Sequence, residues 1–183
     1  MNPMIHRTAA ALCSIALWWG ASFDARAADI DATPPKKATR ISTPEDAAAI
    51  GKVLSDFMSA IAAKNGKQLS TLILHSRILF TSPGDQARVD SAREVDVHFD
   101  GVGVGGFAQF SRYVSTTPDK ISEIARNVEI TQDGHLAWVL FDYEFHVNDK
   151  LSNYGVEAWQ LRKTDGAWKI FSVVWTQHEP ARP

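Results

Sequence analysis

LAWVLFDYEFHVNDKLSNYGVEAWQLRKTDGAWKI, residues 136–170, decides the fold. From Leu136 to Val147 the side chains alternate between one apolar row (Ala137, Val139, Phe141, Tyr143, Phe145) and one mixed row (Trp138, Leu140, Asp142, Glu144, His146). A period of two is the signature of a strand with one buried face. A second strand follows over 154–163, with Glu157, Trp159 and Leu161 sharing a face, and a third over 168–177. Asp133-Gly134 and Asp165-Gly166 are hairpin-turn pairs, since Asp-Gly accepts the positive φ angles of a tight turn. With a further strand over 121–131, the last third of the chain reads as a four-strand antiparallel meander.

Working back toward the amino terminus, the period changes. Thr43-Pro44-Glu45-Asp46 is a helix start, with Thr43 as cap, proline in the first turn and acids at the positive end of the dipole. Ile50, Val53, Leu54, Phe57, Met58 and Ile61 then recur at helical spacing. This helix is expected to stop at Asn65-Gly66, with the glycine as a left-handed cap. Leu69, Leu72 and Ile73 predict a shorter second helix, 78–81 and 95–99 read as short strands, and 106–115 reads as a brief helix. Helices segregated from a meander define an α+β domain.

The 183 residues are 45% apolar and 22% charged, with a net charge of −2 and one cysteine. That is one globular domain's worth of chain. A balance so close to neutral argues against a nucleic-acid partner and against a polybasic membrane surface. The amino terminus carries Arg7, an apolar stretch over 8–20 and the small-residue site Ala25-Arg26-Ala27, the order of a secretory signal peptide. Cleavage after Ala27 removes 27 residues, including Cys13, and leaves 156 with a charge of −3 and no thiol. The expected organisation is a signal peptide over 1–27, a leader over 28–42, one domain over 43–179 and a tail over 180–183, in a periplasmic or secreted protein with no membrane association after cleavage.

The long helix with Gly66-Lys67-Gln68-Leu69-Ser70-Thr71-Leu72, the pair around Asp133-Gly134-His135-Leu136, and Trp159-Gln160-Leu161-Arg162-Lys163-Thr164-Asp165-Gly166-Ala167-Trp168-Lys169-Ile170 carry a resemblance. In these stretches the chain resembles the nuclear transport factor 2-like superfamily, and its SnoaL-like branch (polyketide cyclase and ketosteroid isomerase-like) in particular. The resemblance spans about residues 43–179. It implies a cystatin-like α+β roll, a cone-shaped curved sheet of antiparallel or mixed strands packed against amino-terminal helices, with a pocket at the open end and dimeric assembly. Many members of that branch carry an Asp-His-x-Ser-like segment on the final strand, where this chain has Val173-Val174-Trp175-Thr176.

His98 and Asp100 are an acid–base pair that would share a face if 95–99 were extended, and Tyr143 is the polar group on its strand's apolar row. Trp159 and Thr176 complete the set of candidate ligand-binding residues. The remaining histidines show no metal-ligand spacing, and neither a nucleophile elbow nor a phosphate loop is present. Residues 101–106 satisfy G-x-G-x-x-G, but a meander follows where a dinucleotide site needs a parallel βαβ unit, so no cofactor is expected. The glycines read instead as a loop at the cone's mouth.

The favoured reading is therefore an exported domain that binds a small, largely apolar molecule without catalysis. An isomerase, dehydratase or cyclase using His98 or Asp100 as base beside Tyr143 is the first alternative, and a protein-interaction module using the outer sheet face is the second. Apolar residues on both faces of the last strand, with Trp138 and Leu140, predict a homodimer through that outer face.

Overall fold

The computed structural model describes residues 40–103 and 105–181. The expected signal peptide and its cleavage point, and most of the leader, lie outside the described residues. Among those described, four helices and five strands are arranged as α1 (Pro44–Ala62), α2 (Gly66–Leu72), β1 (Leu79–Thr81), α3 (Gln86–Arg93), α4 (Phe107–Thr116), β2 (Ile121–Asp133), β3 (Leu136–Val147), β4 (Lys150–Thr164) and β5 (Ala167–Trp175). The sheet order is β1-β5-β4-β3-β2, antiparallel throughout except that β1 lies parallel to β5. The sheet is mixed and open, with the helices laid on one face. None of the described helices is long and apolar enough to cross a membrane.

α1 starts as its sequence dictates, with the Thr43 hydroxyl accepting from the Asp46 amide at 3.1 Å. Its apolar stripe, Ile50 through Ile61, is buried against the inner face of the sheet. On β3 that face is the predicted row, with Ala137, Val139, Phe141, Tyr143 and Phe145 all buried. The outer face keeps Trp138, Leu140 and Val156 exposed.

Several boundaries differ from expectation for local reasons. α1 ends at Ala62, and the positive φ falls on Lys64, whose ammonium donates to the Thr117 and Pro118 carbonyls. Gly66 is needed for space instead: a Cβ there would stand 2.2 Å from Ser115 Oγ and 2.8 Å from the Ser111 carbonyl oxygen on α4. β4 begins at Lys150, earlier than 154, because Asn148 and Asp149 both take positive φ and close a tight turn. On β5 a register shift opposite Gln160 and Leu161 makes Phe171 an extra residue. Trp168, Ile170, Val173 and Trp175 then pack with the core, so the simple alternation expected for this strand fails at that bulge.

The 95–99 segment is a loop, not a strand. The Asp85 carboxylate caps α3 by accepting from the Arg88 amide, and the chain leaves that helix at Arg93 in successive turns. Val95 and Val97 stay exposed, so no sheet recruits them.

At the end of the sheet formed by the β2–β3 and β4–β5 turns, Asp46 ties α1 to three strands. Its carboxylate accepts from Lys163 Nζ at 2.7 Å, Trp168 Nε1 at 2.9 Å and Gln132 Nε2 at 2.8 Å. The Lys163 bond first, then those from Gln132 and Trp168, hold its pKa down to about 2. This clamp closes one end of the roll and leaves the other for a cavity.

Candidate functional site: a chamber with two buried carboxyls

The opposite end of the sheet, where β3 finishes and β4 begins, encloses a chamber of about 260 Å3. Its apolar wall is made by Phe57 of α1, Phe80 of β1, Phe110 of α4, Phe145 and Val147 of β3 and Trp175 of β5. The rings support one another: Phe80 lies 5.1 Å from Phe110 and 5.1 Å from Trp175, centroid to centroid. Edge and tilted contacts of this kind fix aromatic side chains in place.

Four titratable groups line this aromatic box, from three strands and α4: Glu123 from β2, Tyr143 from β3, Glu157 from β4 and Tyr113 from α4. Glu123 stands opposite Phe145 and Glu157 opposite Phe141, while Tyr143 stands opposite both Ala125 and Gly155. Tyr143 therefore occupies the strand between the two glutamates. Its hydroxyl lies 2.9 Å from the Thr176 carbonyl oxygen and 3.0 Å from Asn153 Oδ1. Burial first, and the two carboxylates after it, push the Tyr143 pKa up, so the phenol is neutral and a donor.

Glu157 is 6% exposed and Glu123 is 9% exposed. Glu157 Oε2 accepts from the Trp159 indole N–H, and Glu123 Oε1 has no hydrogen-bond partner. Removing a carboxylate from water disfavours its charged form. Burial pushes Glu157 up to about 7 against the opposing pull of the Trp159 bond. Glu123 is pushed well above the usual carboxylate range, by burial first and by the charge of Glu157 second. No lysine, arginine or histidine is among the described residues that line the chamber. Glu157 exchanges its proton near neutrality, and burial favours the neutral form of Glu123, an arrangement that suits one group to accept or give a proton and the other to bind.

The candidates read from the sequence separate here. Tyr143 lines the chamber. Trp159 is 1% exposed and packs against Phe57 at 4.9 Å and Phe141 at 5.2 Å, meeting the site through Glu157. Thr176 follows β5 and braces the wall: its carbonyl receives Tyr143, and its hydroxyl accepts from the Val156 amide at 3.0 Å. His98 and Asp100 are exposed on the loop after α3, outside the residues that line the chamber. The Asp100 carboxylate accepts from the Val102 amide, and the shared strand face that paired it with His98 does not form. Gly103, Gly105 and Gly106 of the glycine loop border a cleft that shares Phe80, Phe110, Tyr113 and Trp175 with the chamber, which puts the loop beside its mouth.

Sequence reasoning passed over Glu123 and Glu157. For Glu157 the signal was phase, since it shares the inward row with Trp159 and Leu161. A carboxylate in step with core positions is a buried carboxylate.

No family model matches the chain, and no curated protein does. Solved structures do. A cystatin-like-fold protein of unknown function from Nostoc punctiforme superposes with a TM-score of 0.53 at 14% identity, over 77% of this chain and 96% of that one. A nuclear transport factor 2-like protein from Cytophaga hutchinsonii gives 0.55 at 16% identity, over 75% of this chain and all (100%) of that one. A protein from Streptomyces avermitilis, named a candidate dehydratase of the same family, gives 0.54 at 17% identity, again over 75% and 100%. The open five-strand sheet, the helices α1 and α2 packed on it and these superpositions together identify the architecture: the chain has the nuclear transport factor 2-like, cystatin-like fold.

Proposed function

We propose that this domain binds a small, largely apolar molecule in the chamber between Phe80, Phe110 and Trp175, with the buried glutamates making its polar contact. One observation carries the reading: a pre-formed aromatic cavity contains a buried carboxyl oxygen, Glu123 Oε1, with no protein donor. Buried polar atoms are ordinarily satisfied, and among the described ones without a partner Glu123 is the one that lines this chamber, where a ligand donor would complete it. Indole is a suitable probe, being flat, neutral and able to donate one hydrogen bond. Calorimetric titration should give one saturable site per chain, and crystals soaked in indole should hold it against Phe80, Phe110 and Trp175. A crystal structure with the chamber filled by the protein's own side chains, and no saturable heat, would overturn the reading.

The pKa of Glu157, about 7, favours a second reading in which the domain also moves a proton on its ligand. A general base is most effective when its pKa lies near the working pH. Isomerisation, dehydration and cyclisation all begin or end with such a transfer. The name of the Streptomyces avermitilis protein is consistent with that class. The base assigned by this reading is Glu157, in place of His98 or Asp100.

A further inference from the structure

We propose that the chamber takes an ammonium ligand, a primary or secondary amine carried on an aromatic or otherwise apolar body, which donates an N–H to Glu123 Oε1. The proposal rests on the binding role given above and names its ligand class. Two carboxyls face this cavity, Glu123 from β2 and Glu157 from β4. The other titratable groups facing it are the phenols of Tyr143 on β3 and Tyr113 on α4, while α1, β1 and β5 contribute Phe57, Phe80 and Trp175. Arg88 lines the adjoining glycine-bordered cleft and is not among the residues that line the chamber.

The chamber therefore has anionic capacity with no counter-cation of its own. Glu123 Oε1 is an acceptor without a donor. Aromatic faces attract a cation through their quadrupole and accept the apolar body of the same ligand. A metal ion is a poorer match. Among the described residues no cluster of three acidic, histidine or cysteine side chains forms, and hard cations ask for more oxygen ligands than these walls supply.

Burial favours the protonated, neutral form of Glu123, so a proton competes with a ligand cation for this carboxyl. When the ammonium arrives, the carboxyl O–H bond breaks, the proton leaves to solvent, and the carboxylate pairs with the ammonium N–H. Binding is therefore linked to proton release. Raising the pH removes the competing proton, so amine affinity climbs with pH, whereas affinity for a neutral ligand of the same shape does not.

Calorimetric titration of the full chain with benzylamine and with benzyl alcohol, at pH 6 and pH 8 and in two buffers of different ionisation heat, tests this. Benzylamine should bind about tenfold or more tighter than the alcohol at pH 8, a preference of the size one charge-assisted bond supplies. It should lose affinity at pH 6, where its binding should release a proton to the buffer. Glu123→Gln should erase the preference for the amine. Equal affinity for the two probes, or amine binding without proton release in the unaltered protein, would overturn the proposal while leaving the small-molecule site standing. Failure of both probes to bind would remove both.

Discussion

Glu157→Gln is expected to lower the ring opening of 5-nitrobenzisoxazole by 100-fold or more. This flat aromatic compound opens when a base takes the proton at C3 and the ring N–O bond breaks to give a phenolate, so it reports on a carboxylate held in apolar surroundings. Positioned general bases typically contribute about 10²–10⁴ in rate. In the unaltered protein the rate should rise with pH and level off above about 7, because burial holds the Glu157 proton to that point and only the ionised form accepts a proton. An unchanged rate in the variant, or a profile that levels near pH 4.5, the ordinary value for a glutamate, would remove Glu157 as the base.

The same substitution changes stability in a defined direction. Between pH 4.5 and about 7 the native state binds a proton at Glu157 that the unfolded chain has already lost. Stability therefore falls as pH rises through that window. Glutamine has nothing to ionise, so the variant should lack that slope and at pH 8 should be more stable than the parent, by about 3 kcal/mol if the whole shift is expressed. Denaturant melts at pH 5 and pH 8 distinguish the two proteins. The site is in this sense held against the stability of the domain, as functional carboxyls in apolar pockets are.

Trp159→Ala should cost about 3–5 kcal/mol, the range for a large aromatic deleted from a core that cannot collapse around the gap. Trp159 is among the largest fully buried side chains, wedged between Phe57 and Phe141, so its removal opens a void directly behind the chamber. Trp159→Phe separates packing from chemistry. The ring contacts survive, but the indole N–H that lowers the Glu157 pKa is lost. The pH profile of 5-nitrobenzisoxazole opening should then move to higher pH, since a donor to the charged form favours that form. A large loss of stability with no movement of the profile would mean that Trp159 is core alone.

How much of this was legible beforehand depended on where the chain kept its period. α1 was readable from Thr43, Pro44 and the spacing of its apolar stripe, because cap and period agree there. The inner row of β3 was readable because twelve residues alternate without interruption. β2 was not, since the register shift between Arg126 and Glu129, with Asn127 at positive φ, reverses its parity. Ile121, Glu123 and Ala125 stand opposite the inner row of β3 before the bulge, and Ile130 and Gln132 do so after it. No single alternation therefore marked Glu123 as inward. α3 carries one buried apolar residue, Val89, and so shows almost no stripe. The His98–Asp100 pair was inferred from a strand that needs a neighbour to exist, and no strand of the sheet pairs with that segment.

The central claim is that two carboxyls in one apolar chamber keep their protons far above the ordinary carboxylate range. Carbon-13 NMR of the glutamate side-chain carboxyls, assigned with Glu123→Gln and Glu157→Gln and followed from pH 3 to pH 9, measures this directly. The expected result is a midpoint of about 7 for Glu157 and one displaced well above the ordinary 4.5 for Glu123. Midpoints of both groups near 4.5, the value for a solvated glutamate, would contradict the account.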